Sequence, residues 1–375
     1  KTDILDDHGY SILNFAANAG VKNTKVYDLC LANGANLKTD LTTNGANALL
    51  LVAPHDDDFA LTEYFVSKGL DINSVDANGN GIYNYVARTG NIGLLEKLQK
   101  KGVNGTDEAF IFASQGTRGK TNGIEVYQFL EKVGLNPNVT NKEGNTPLHI
   151  LASRSKDAAI ISYFIKKGLD VNQANEEGNN ALMLASSRNN LEIIQMFLDL
   201  TKDINAVNKK GQSALTNAVA YNTPETVLFL INNKADVSIV DAEGNNLGYY
   251  LMDAYSSRSK DAFEAKWELL NANGVELKSA QANGNTLYHL AVDNGDMELL
   301  EFVANHKGDV NAKNKEGLTP LHLAAMKAQD DKTLKYLLQL GAEKDVVTDF
   351  EETAFDLASE NEILKQQKIS IDFLK

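Results

Sequence analysis

The stretch Gln115-Gly116-Thr117-Arg118-Gly119-Lys120-Thr121 ends like a phosphate-binding loop. The full motif needs a glycine five residues before Gly119, where Ser114 stands, and a preceding strand, where the apolar pattern is helical. The expectation is a flexible loop between helices, not a nucleotide site. His55-Asp56-Asp57-Asp58 carries metal-ligating residue types, but consecutive residues converge poorly on one ion. It reads as a solvated loop that caps the helix after it. His149, His289 and His322 share one position in three related strings. Identical placement argues for a repeated structural hydrogen bond rather than acid–base chemistry. No Ser/His/Asp or Cys/His arrangement can be assembled. No catalytic residue, metal ligand or cofactor is therefore expected.

Composition narrows the classes further. Of the 375 residues, 43% are hydrophobic, enough for a continuous core. No apolar run reaches the ~18 residues of a membrane span. The formal net charge of -14 repels phosphate backbones, so nucleic acid is not expected as a partner, while basic partners are favoured. Cys30 is the single cysteine, which leaves no intrachain disulfide or cysteine-based zinc site. It lies in the helical pattern Val26, Leu29, Cys30 and reads as a small buried hydrophobe. Asn104-Gly105-Thr106 and Asn138-Val139-Thr140 are glycosylation sequons, relevant only on a eukaryotic secretory route. The first residue is Lys1. A removed export signal would explain this, so an exported or periplasmic location is slightly favoured over a cytoplasmic one.

The histidines belong to a long-range repeat. Asn141-Lys142-Glu143-Gly144-Asn145-Thr146-Pro147-Leu148-His149 returns as Asn314-Lys315-Glu316-Gly317-Leu318-Thr319-Pro320-Leu321-His322. From Gly144 the turn glycines Gly178, Gly211, Gly244, Gly284 and Gly317 follow at intervals of 34, 33, 33, 40 and 33 residues. Weaker copies surround Gly9, Gly45 and Gly79. Asn or Asp three residues before the glycine starts a turn, and the glycine supplies its positive φ. Thr146 and Thr319 can cap a helix whose first residue is proline. A second helix follows, as in Ile160, Ile161, Phe164 and Ile165, and stops at Gly168. Leu169-Asp170-Val171-Asn172 then leads in extended form to the next turn.

Turn, helix, helix and extended link at about 33 residues, with Thr-Pro-Leu-His, resembles the ankyrin-repeat family over essentially the whole chain. The resemblance implies an all-α repeat solenoid, its helix pairs joined by short β-hairpin-like turns, acting as a protein-binding scaffold. Partners in this family meet the turn tips and the ends of the first helices. Mapped here, that surface is Lys142, Glu143, Asn145 and Arg154, then Glu176, Glu177, Asn179 and Arg188, then Lys209, Lys210, Gln212 and Tyr221. Farther along come Asp253, Asp293, Asn294, Lys315, Glu316, Leu318 and Met326. Tyr221, Leu318 and Met326 are the anchor candidates.

We expect one ankyrin domain over residues 1–375, of about eleven units, monomeric by itself. A degenerate repeat near 104–138 lacks the turn glycine. An extended repeat at 241–280 holds extra length at Ser256–Lys260, and a polar C-terminal cap occupies 348–375, with Glu351 in place of glycine. The expected function is a scaffold or adaptor that binds a protein through the concave face. The alternative is a structural or inhibitory, immunity-like binder that occludes its partner.

Overall fold

A computed structural model describes residues 10–39 and 41–375. The turn expected at Asp6–Gly9 lies outside them. The described residues form helices in pairs, with no strand beyond isolated bridges such as Val75 with Gly81. The pairs are α1 (Ile12–Asn18) with α2 (Thr24–Ala32), α3 (Ala48–Val52) with α4 (Ala60–Ser67), and α5 (Ile82–Ala87) with α6 (Ile92–Lys100). Then come α7 (Ala109–Gln115) with α8 (Ile124–Lys132) and α9 (Pro147–Arg154) with α10 (Ala158–Lys166), followed along the chain by α11 (Ala181–Arg188) and α12 (Leu191–Leu198). Next are α13 (Ala214–Tyr221) with α14 (Pro224–Asn232), α15 (Leu247–Asp253) with α16 (Lys260–Ala272), and α17 (Leu287–Asn294) with α18 (Met297–Asn305). The last are α19 (Pro320–Lys327) with α20 (Lys332–Gln339) and α21 (Ala354–Glu360) with α22 (Glu362–Gln366). None of these helices is long and apolar enough to cross a membrane.

The chain divides into two compact units. One holds the chain through Leu182 together with Glu192–Thr201. The other holds Met183–Leu191 and Lys202–Lys375. In the first unit α1 packs on α3, α5 on α7 and α7 on α9, around Leu50, Phe65, Phe110, Tyr127 and Phe164. In the second, α13, α15, α17, α19 and α21 pack each on the next, around Leu215, Trp267, Leu300 and Leu337. Trp267 is core, with its ring centroid 5.1 Å from Phe302 and 4.9 Å from His306. Cys30 is buried, and burial pushes its thiol pKa up, as suits an inert small hydrophobe.

Local chemistry sets the helix starts. The Thr146 side chain caps α9 while the His149 side chain returns to the Thr146 backbone, with Pro147 at the first helical position. The same boxes join Thr286 to His289, Thr319 to His322 and Thr353 to Asp356. Many second helices end on a left-handed residue. Gly168 (φ 87°) ends α10, and Lys234 (φ 73°) holds the corresponding place after α14.

The turn tips interlock along each unit. Asn141 Oδ1 accepts from the N–H groups of Glu143 (3.1 Å) and Asn145 (2.9 Å), and the Gly144 N–H returns to the Asn141 carbonyl at 2.9 Å. The Glu143 carbonyl then accepts from the Glu176 N–H of the next turn, also at 2.9 Å. In the second unit, the Lys210 carbonyl accepts from the Ala242 N–H at 2.9 Å. The repeat without a turn glycine uses side chains instead. Asn84 donates to Thr106 Oγ1 at 2.7 Å and accepts from the Thr106 N–H at 3.1 Å. In the last repeat Glu351 adopts the glycine's left-handed conformation, with φ 62°.

The extra length at Ser256–Lys260 is helical: Ser257–Ser259 form a 3-10 turn that runs into α16, a helix of 13 residues. The segment after Gln115 connects α7 to α8 as expected of a loop between helices. Thr117 and Lys120 exchange backbone hydrogen bonds of 3.1 Å and close a tight hairpin after α7.

Candidate partner-binding surface

The histidines are consumed by structure. The Thr146 N–H donates to His149 Nδ1 at 3.1 Å, so that nitrogen carries a lone pair. The proton then sits on Nε2, which faces the carbonyls of Gln173 (2.9 Å) and Asn179 (3.1 Å). His289 repeats this between the Thr286 N–H and the Leu318 carbonyl, and His322 between the Thr319 N–H and the Val346 carbonyl. Burial lowers all three pKa values, and the carbonyl contacts offset part of that. Each ring is a neutral staple between adjacent repeats.

The acidic run at 55–58 does cap a helix. Asp56 is buried and accepts from the N–H groups of Leu61 (3.0 Å) and Thr62 (2.7 Å) at the start of α4. Asp58 accepts from Ala60 at 3.1 Å.

The turn-tip residues proposed for contact are mostly at the surface. Lys142, Glu143, Arg154, Glu176 and Glu177 are exposed in the first unit, and Asn145 is half-buried. Asn179 is buried; its carbonyl receives His149, and its amide donates to Glu177 at 3.0 Å. In the second unit Arg188, Lys209, Lys210, Lys315 and Glu316 are exposed, while Gln212 and Leu318 are half-buried. Tyr221 is 63% exposed at the end of α13, and Met326 is 51% exposed near the end of α19. Asp253 and Asp293 are exposed, and Asp293 pairs with Lys327. Asn294 instead points inward and donates to the carbonyls of Met252 and Tyr255, both at 3.3 Å.

The first unit holds a groove of about 900 Å³ between the turn tips and the ends of α5, α7 and α9. Arg88, Arg118 and Arg154 line it, as do Asp76, Glu108 and Glu143. The Arg88 guanidinium lies over Phe112, 5.1 Å from the ring centroid, and beside Tyr85 at 6.0 Å. It donates to Gln115 Oε1 at 2.7 Å, and its Nε has no hydrogen-bond partner among the described residues. Burial lowers the Arg88 pKa, and the nearby positive charge of Arg154 adds to this. Among the acidic side chains of the groove, burial and the charges of Asp76 and Glu143 raise the Glu108 pKa, partly countered by Asn80. The positions of Arg88 and Arg118 escaped the sequence reading, because their convergence with Arg154 spans three repeats.

The family model for ankyrin repeats matches residues 110–208, 151–241 and 251–348, together more than half of the chain. The chain belongs to the ankyrin-repeat family. Ankyrin repeats are protein–protein interaction modules. Protein phosphatase 1 regulatory subunit 27 of Mus musculus is 30% identical over 88 residues, covering 24% of this ankyrin chain and 56% of that protein. Its Homo sapiens counterpart is 30% identical over 83 residues, covering 22% and 53%. The chain thus spans about half the length of these curated relatives. The crystal structure of the human ASB11 ankyrin repeat domain aligns with a TM-score of 0.48 at 19% identity, covering 59% of this chain and 96% of that one.

Proposed function

We propose that the chain is a scaffold or adaptor that holds a partner protein through the concave ankyrin surface, without catalysing a reaction. The observation that carries this reading is Tyr221, a large aromatic 63% exposed at the end of a first helix, where an anchor residue is expected. The exposed cations Lys209 and Lys210 on the adjoining turn tip, with Arg188, give the same unit a charged rim. The histidines support a non-catalytic role, since both ring nitrogens of each are already engaged. A native pull-down with this chain as bait, at low and raised salt, tests the reading. A stoichiometric protein partner is expected, lost on Tyr221→Ala or on charge reversal at Arg188, Lys209 and Lys210. Absence of a partner at either salt would overturn it.

A second reading makes the chain a regulatory binder that changes the activity of the protein it covers. Its support is the similarity to a protein named as a phosphatase regulatory subunit. Unchanged activity of a captured enzyme, at saturating chain, would exclude it.

A further inference from the structure

The chain has five arginines, and three of them line one groove in a protein of net charge -14. None of these three is ion-paired among the described residues. The Arg88 guanidinium is held over the Phe112 and Tyr85 rings and by Gln115, so less side-chain entropy remains to be lost when it binds. Its Nε–H is buried without an acceptor among the described residues, so a ligand in the groove would meet the guanidinium's η nitrogens. Arg154, the last residue of α9, is close enough to repel Arg88, and an anion between them would relieve that repulsion.

We propose that the groove bounded by Arg88, Arg118 and Arg154 seats an acidic side chain from an extended segment of the partner protein. The proposal rests on the partner-binding reading and deepens it. A carboxylate suits the site in charge and shape, because guanidinium forks pair with it through two parallel hydrogen bonds. A phosphate suits it less: Asp76, Glu108 and Glu143 also line the groove, only Glu143 is paired with a lysine there, Lys142, and the remaining negative charge penalises a second ligand charge. The exposed amide of Asn78 along the groove can meet the backbone of an extended peptide. The partner segment therefore carries its Asp or Glu at the arginines and tolerates a basic residue toward the turn tips.

A random dodecapeptide display library selected on the full chain tests this. Enriched peptides should share an Asp or Glu at one register position. Replacing it by Asn or Gln in a fluorescent copy should weaken binding about tenfold or more. The exposed pair Arg118→Gln with Arg154→Gln should produce a similar loss while the melting temperature stays unchanged. Arg88→Lys, which keeps the charge and loses the planar fork, should weaken binding by a smaller factor. No enrichment, peptides without a common acid, or binding indifferent to Arg118→Gln with Arg154→Gln would overturn the proposal. Displacement of the peptide by inorganic phosphate at submillimolar concentration would also overturn it, assigning the groove to phosphate. If selection fails while the pull-down partner still depends on Tyr221, only this groove assignment falls. If both fail, the scaffold reading falls with it.

Discussion

Lys266 donates from Nζ to the carbonyl oxygen of Val219 at 2.8 Å, within the last turn of α13. Elsewhere an asparagine serves that carbonyl. Asn222 donates to the Ser186 carbonyl at 3.0 Å and Asn294 to the Met252 carbonyl, and Val219 lies 33 residues from each acceptor. In the extended repeat the chain after α15 turns into the lengthened α16, and Lys266 reaches back from inside that helix. A cavity of about 280 Å³ lies beside it, lined by Tyr221, Tyr255 and Phe263 among others.

Lys266 is only 6% exposed, and desolvation lowers its pKa from 10.5 to about 8. The folded state therefore gives up its proton before the unfolded chain does. Below pH 8 both states are charged and the folded state bears the full desolvation cost, about 3 kcal/mol. That cost disappears as pH rises from about 8 to 10.5. Urea midpoints across pH 7–10 should rise more steeply in the wild type than in Lys266→Met. Parallel curves would show that Lys266 keeps its proton throughout.

The three repeat histidines act at the other end of the scale. Their folded pKa values are depressed, so the unfolded chain binds protons first as pH falls below about 6.5. Stability present above that pH is lost on acidification toward the folded pKa values. Replacing one staple by His149→Gln should cost about 2 kcal/mol at pH 7.5, by leaving buried carbonyls short of a donor. It should also flatten the loss between pH 6.5 and 5. Denaturant melts at the three pH values measure both effects, and an unchanged acid slope would contradict the neutral-staple assignment.

The turn glycines separate into two groups that sequence spacing treats alike. At Gly211 (φ 77°) a Cβ would lie 2.5 Å from the Ala242 nitrogen, inside the next turn and against the bond to Lys210. At Gly79 (φ 83°) a Cβ would meet nothing within 4 Å. Gly79→Ala should thus cost about 1 kcal/mol, the left-handed strain alone. Gly211→Ala adds a backbone clash and should cost about 2–4 kcal/mol. Equal losses in thermal melts would mean that the turn tips do not bear on one another.

The repeat was readable because its punctuation is local. Thr146, Pro147 and His149 lie within four residues and declare one helix start. What sequence could not show depends on partners one repeat away. Asn122 and Lys266 look like ordinary polar residues until their carbonyl acceptors are brought across from Arg88 and Val219. The string Ser-Arg-Ser-Lys-Asp-Ala marks the same limit. At 153–158 its Asp157 caps α10, accepting from the Ala159 N–H at 2.9 Å. At 257–262 the same aspartate, Asp261, lies inside the first turn of α16. Six identical residues take two structures because the surrounding repeat sets where the second helix begins. The arginine groove was hidden for the same reason, with only Arg154 placed by the family pattern.

Asn361 allows its two roles to be separated. Its Oδ1 caps α22 by accepting from Ile363 (2.9 Å) and Leu364 (3.2 Å). Its amide donates to the carbonyls of Ala325 (3.1 Å), Met326 (3.3 Å) and Ala328 (3.0 Å) in the preceding repeat. Asn361→Asp keeps a cap at least as good for the helix N-terminus but removes the donors and sets a charge against three carbonyl oxygens. Asn361→Ala removes both roles without adding charge. If the clamp between repeats dominates, Asn361→Asp should lose about 2–3 kcal/mol, no less than Asn361→Ala. If capping dominated, Asn361→Asp would melt with the wild type and only Asn361→Ala would fall. Acidifying the Asn361→Asp variant below pH 4 should recover part of its loss relative to wild type, because a protonated carboxyl can again donate to one carbonyl.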